Sequence, residues 1–206
     1  MREALRAGIA IYNEGYYHAA HDAWEAHWLE LEAGTDDERL LHGLIQFTAA
    51  IYHARNRNWA GAVGLASSAG AYLDGLPAAY RGVNVAAVRR ALETLATDPA
   101  VIERRSAPPL THDGERLHLA NLDLEATFLA AGVLAEELGY DEGVIDDGVA
   151  YARTDLEAGY ETSPFLTLVA DFVREPGDRA LVFDRLAGHV ERRRAEAADV
   201  EGLFDP

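Results

Sequence analysis

The sequence predicts an all-α protein built from antiparallel helical hairpins, a bundle-like architecture. Three observations carry that reading. Apolar residues recur at three- and four-residue spacing nearly everywhere, no stretch alternates long enough to read as a strand, and glycine, asparagine and proline punctuate the chain. Nearly half of the 206 residues are apolar, enough for one large or two small domains with a proper core.

The spacing predicts helices near 2–14, 16–33, 37–56, 58–74 and 84–97, then 122–138, 141–158, 164–174 and 178–196. Gly15, Gly34-Thr35-Asp36, Asn58, Gly75-Leu76-Pro77, Gly139 and Pro176-Gly177 mark the breaks. Segment 98–121 carries Pro99, Pro108 and Pro109 and reads as a linker. It separates a helical domain over 1–97 from a second one over 122–196, and 197–206 reads as a frayed acidic tail. The halves correspond faintly: Ala7-Gly8, Gly15-Tyr16 and Leu31–Gly34 against Ala131-Gly132, Gly139-Tyr140 and Leu156–Gly159. This is either a degenerate internal duplication or chance in a chain rich in Ala, Gly and Leu. In a duplication the second copy has lost its polar residues, with Ile145, Val149 and Ala152 standing for His21, Glu25 and Trp28.

Formal net charge is −17, and all eighteen basic residues are arginine. An acid-rich surface without lysine looks like adaptation to a salt-saturated cytoplasm, although net charge speaks to solubility rather than fold. The sole arginine triplet, Arg192–Arg194, is flanked by glutamates, which argues against nucleic acid as a partner. Cysteine is absent, excluding disulfides, thiolate metal sites and cysteine nucleophiles. The N-terminal segment lacks the apolar core of a signal peptide, and the longest apolar stretches are too short for a bilayer. A soluble cytoplasmic protein without a membrane partner is expected.

Candidate chemistry concentrates between Tyr16 and His53, which hold five of the eight histidines and two of the three tryptophans. His18, His21, Glu25 and Trp28 follow steps of three, four and three, and so share one stripe of their helix. His42, Gln46, Ala49 and His53 share a stripe on the next, largely apolar helix. Folding this hairpin symmetrically about its turn sets Glu25 opposite Gln46, Trp28 opposite Gly43, and His18 opposite His53. Three readings stay open: a structural network, a divalent metal held by His21, Glu25 and His53, or a small-ligand pocket in which His21 and Glu25 act as acid and base. Asp22, beside His21, could orient an imidazole or be solvated. His112 reads as solvated, and no P-loop, dinucleotide fingerprint, nucleophile elbow or His-Glu-x-x-His motif occurs.

The run His21-Asp22-x-x-Glu25-x-x-Trp28, then Gly43-Leu44-Ile45-Gln46, Tyr52-His53 and Asn58-x-x-Gly61-Ala62, resembles the domain of unknown function 309 family. The resemblance spans Ala7 to about Leu73 and implies a small domain of antiparallel helical hairpins. Its signature positions fall here on His21, Asp22, Glu25, Trp28, Gln46 and His53, and it implies no assigned activity. The expected function is therefore a non-enzymatic module binding a small molecule or a protein partner beside the His/Glu/Gln cluster. The alternatives are a metal-dependent hydrolase-like enzyme using His21, Glu25 and His53, and a purely structural network. A divalent metal is the one candidate cofactor, and a homodimer is compatible with the helical architecture.

Overall fold

The structure, a computed structural model, describes residues 1–202. The chain divides into two compact units, Met1–Leu129 and Ala130 onward. The first contains α1 (Arg2–Asn13), α2 (Tyr17–Trp28), α3 (Asp36–Arg55), α4 (Trp59–Leu73), α5 (Val85–Thr97) and the start of α6 (Leu124–Leu138). In the second lie the rest of α6, α7 (Glu142–Glu157), α8 (Pro164–Arg174) and α9 (Arg179–Gly202). The all-α reading holds, and most helix limits fall within two residues of the spacing pattern.

In the first unit α1 to α5 each pack on the neighbour in sequence, and α3 is central. Leu40, Leu41, Leu44, Phe47 and Ile51 of α3 are fully enclosed, which is why this helix is apolar nearly all round. Its start is a capping arrangement in which the Glu38 N–H donates to the Thr35 hydroxyl at 3.3 Å. Asp36, Asp37 and Glu38 then load the first turn with negative charge. Asp37 receives both guanidinium donors of Arg81, at 2.8 and 2.6 Å, and the Tyr80 hydroxyl at 2.8 Å. The Arg81 hydrogen bond holds the Asp37 carboxyl below its usual range, outweighing partial burial.

Helices α1 and α2 approach closely at Gly8. Trp24 is fully buried, and a Cβ on Gly8 would lie 2.2 Å from its Nε1. A tryptophan facing a residue without a side chain was expected of Trp28 and Gly43. The structure pairs Trp24 with Gly8 instead, and gives the space at Gly43 to Leu73, 2.5 Å from a built Cβ.

Segment 98–121, read as a linker, is folded into the first unit. A 3-10 helix spans Pro99–Glu103, and a two-stranded hairpin pairs β1 (Thr111–His112) with β2 (Glu115–Arg116) around Asp113-Gly114. Both turn residues have positive φ, as a type I′ hairpin turn requires. Each strand has only two residues, too few to leave an alternating pattern in the sequence. Asn13 fastens this segment to α1: its amide nitrogen donates to the Leu110 and Leu117 carbonyls, and its oxygen accepts from the Leu110 N–H, each at 2.9 Å. His112, expected in solvent, is buried instead. Burial pushes its imidazole below the ordinary value against the opposing pull of Asp113, with Arg6 and Arg2 adding to the depression.

In the second unit α8 packs on α7 and α9 around Ile145, Val169, Phe172, Leu186 and Val190. Ser163 caps α8, accepting from the Phe165 N–H at 3.2 Å, and donates to the buried Asp155 at 2.7 Å. Helix α9 runs through Gly202, so 197–202 continue a helix where a frayed tail was expected. The rest of that expected tail, 203–206, lies outside the described residues. No described helix is long and apolar enough to cross a membrane.

Gly8→Ala is expected to cost about 1–3 kcal/mol by forcing the Trp24 indole off its site. Gly132→Ala, with open space around a built Cβ, should be neutral or gain up to about 1 kcal/mol from helix propensity. Urea unfolding of the two variants beside the parent checks the contrast.

Candidate functional site

Helix α2 begins just after Gly15, whose positive φ lets the Tyr16 N–H reach back to the Ile11 carbonyl and close α1. From there His18, His21, Asp22 and Glu25 line its outer face. His18 Nδ1 stands 3.3 Å from Asp22 Oδ2, and His21 Nε2 stands 3.5 Å from Glu25 Oε1. These are ion-pair separations rather than good hydrogen bonds. One nitrogen of His21 and one oxygen from each of Asp22 and Glu25 lie within 4.8 Å of one another, all three residues being half-buried.

A second cluster, at the junction of α2 and α3, is enclosed. Its centre is Glu38, which the sequence reading did not single out. The Trp28 indole N–H donates to Glu38 Oε1 at 2.9 Å, and the Gly34 N–H donates to Oε2 at 3.2 Å. His42 donates from Nδ1 to Oε1 at 3.1 Å, because a carboxylate only accepts. That tautomer leaves His42 Nε2 as the acceptor for the Gln46 amide nitrogen at 3.0 Å. The His42 ring lies between Trp28, at 4.6 Å between centroids, and Tyr72 of α4, stacked at 3.7 Å. Burial pushes the Glu38 carboxyl up, but the bonds from Trp28, Gly34 and His42 together outweigh it and hold the group below its ordinary value. A shallow cavity of about 570 Å³ opens beside Glu38 and Tyr72.

The third element joins α3 to α4. Asn58 caps α4, its Oδ1 accepting from the Gly61 N–H at 3.1 Å, and this fixes the amide orientation. Its Nδ2 therefore donates to His53 Nδ1, 2.8 Å away, and holds the neutral ring as the Nε2–H tautomer. A Cβ on Gly61 would lie 2.7 Å from Asn58 Nδ2, so the Asn-x-x-Gly spacing follows from this cap.

The hairpin register differs from the symmetric one. Helix α2 ends at Trp28 rather than near residue 33, and the following turns tighten to three-residue bonds such as Leu31 N–H to the Trp28 carbonyl. Trp28 consequently meets His42 instead of Gly43, and His18 meets the Tyr52 ring, 5.9 Å away between centroids, instead of His53. One residue along a helix is a turn of about 100°, enough to change which side chains face each other. Gln46 bonds to His42, and Glu25 lies at ion-pair distance from His21, so the expected Glu25–Gln46 pair does not form. His53 stands outside the group of three donors. Coordination through its Nε2 would require the proton on Nδ1, where Asn58 also presents a donor.

Residues 5–65 match the model of a family described as a domain of unknown function (DUF309). This segment is a DUF309 domain. No curated protein matches the chain. The DUF309 segment runs from Leu5 in α1 to the first half of α4, and thus holds every side chain of the three clusters except Tyr72. Glu38 lies inside it. Its signal was present in the sequence as one further four-residue step before His42 and Gln46.

Glu38→Gln is expected to destabilise the DUF309 domain by about 1–3 kcal/mol at neutral pH. The depressed carboxyl contributes stability fully above the unfolded Glu value near 4.3, and loses it as pH falls through the lower folded value. The gap between parent and variant should therefore shrink below about pH 4. Urea midpoints measured at pH 7 and pH 3 test both the gap and its closure.

Proposed function

We propose that the DUF309 domain is a binding module that holds a divalent transition metal on the outer face of α2, through His21, Asp22 and Glu25. One observation carries the reading: three donor atoms converge within 4.8 Å on a half-exposed face, while the carboxylate of the Glu38 cluster is already taken up by Trp28, Gly34 and His42. The donor set fits. One imidazole and two carboxylates suit zinc, manganese or iron. Ligands bound about 2.1 Å from an ion lie about 3.0–3.4 Å apart, close to the present His21–Glu25 separation of 3.5 Å.

Once bound, such an ion would offer its remaining positions to a small polar molecule and polarise it. The chain's own residues would set the surroundings. His18, 3.3 Å from Asp22, is placed to orient that carboxylate from outside. Tyr52, 45% exposed, provides an aromatic wall beside His18, and His53 carries a hydrogen-bond donor on Nε2. These features favour recognition of a polar ligand and leave the enclosed Glu38 cluster a structural part.

Titration calorimetry with Mn²⁺ and Zn²⁺ on the full chain should give about one ion per chain. His21→Ala should weaken binding at least tenfold, and Glu38→Gln should leave it largely intact. Absence of binding, or equal affinity in His21→Ala, would overturn the reading. Glu25→Ala should change stability by less than about 0.5 kcal/mol, since Glu25 is half-exposed and loses only a loose ion pair.

A further inference from the structure

A second cavity, of about 330 Å³, opens between α5 and the 3-10 helix Pro99–Glu103, with the enclosed Ile51 of α3 among its lining residues. The volume lies within the range of small-molecule sites. Ala91 and Leu95, one turn apart on α5, supply an apolar wall, and Val101 and Ile102 supply another.

The polar groups lining it all carry donors. Arg90 and Arg105 belong to the lining, with Ser106 beside Arg105, and none of the eleven lining residues is acidic. That is notable in a chain with 35 carboxylates and 18 arginines. Nearby arginines are neutralised: Arg104 pairs with Asp98, and Arg57 with Glu103 at 2.8 Å. Among the described residues, no carboxylate pairs with Arg90 or Arg105 and no hydrogen bond engages the Ser106 hydroxyl. The Thr94 hydroxyl, by contrast, is spent on the Arg90 carbonyl at 2.9 Å.

We propose that this cavity binds a small amphipathic carboxylate, its apolar tail between α5 and the 3-10 helix and its head held by Arg90 and Arg105. Guanidinium matches carboxylate through paired N–H donors, and the apolar walls account for the tail. Apart from Ile51, the lining lies beyond the DUF309 segment, and it shares no residue with the metal-binding face. The two sites are therefore separable by experiment.

The test is calorimetry on the full chain with decanoate below its aggregation threshold, compared with 1-decanol (tail without charge) and acetate (charge without tail). Decanoate should bind at least tenfold more tightly than either. The double variant Arg90→Gln/Arg105→Gln should lose at least tenfold in decanoate affinity with an unchanged melting temperature. Ala91→Phe, which fills the cavity, should abolish binding. Equal binding of decanol and decanoate, or unchanged decanoate affinity in the double variant, would overturn the proposal. Retained binding in a folded Ala91→Phe would also overturn it. Should that variant not fold, the exposed arginine pair decides the matter alone.

Discussion

A single carboxylate organises the N-terminal hairpin. Glu38 collects an indole N–H, a backbone N–H and an imidazole N–H at the point where α2 gives way to α3. A buried charge without such donors would be costly, and with them it is directional. The three bonds fix where Trp28 and Gly34 stand relative to α3, and so set the rotation of α2 against its neighbour. Everything on the open face inherits that setting. Because Trp28 and His42 are consumed inside, His21, Asp22 and Glu25 are left turned toward solvent with their donor atoms near one another.

The helices were legible because helical periodicity is a property of many residues at once. A single exception such as Glu38 or Thr48 on a buried face does not erase it. Helix ends were legible where a glycine or asparagine does the closing, as at Gly15, Asn58 and Gly139. The register was not. It depends on where α2 stops, and residues 29–33 contain good helix formers that carry no stop signal of their own. The stop coincides with Trp28 and Gly34 both binding Glu38, contacts that exist only after the hairpin has closed.

Contacts within α2 follow from the sequence, whereas contacts across the hairpin differ from the expected ones, for the same reason. His21 and Glu25 meet because they are four residues apart on one helix, a local fact. Gln46 and His53 were expected to find partners across the hairpin, but each bonds along its own stretch of chain instead, to His42 four residues back and to Asn58 five residues on. Glu38 escaped notice because an acidic residue in the first turn of a helix has an ordinary explanation in capping and dipole effects. The Asp113-Gly114 turn carried a clear hairpin signal, but the prolines around it pointed to a linker.

The contact between Gly8 and Trp24 has a consequence for descent. Neither position can drift independently: a side chain at 8 is tolerated only beside a smaller ring at 24, and a smaller ring alone leaves a void beside the α1 backbone. Relatives that share this crossing should therefore show the two positions changing together, as one inherited pair, even where the polar face of α2 has been rewritten.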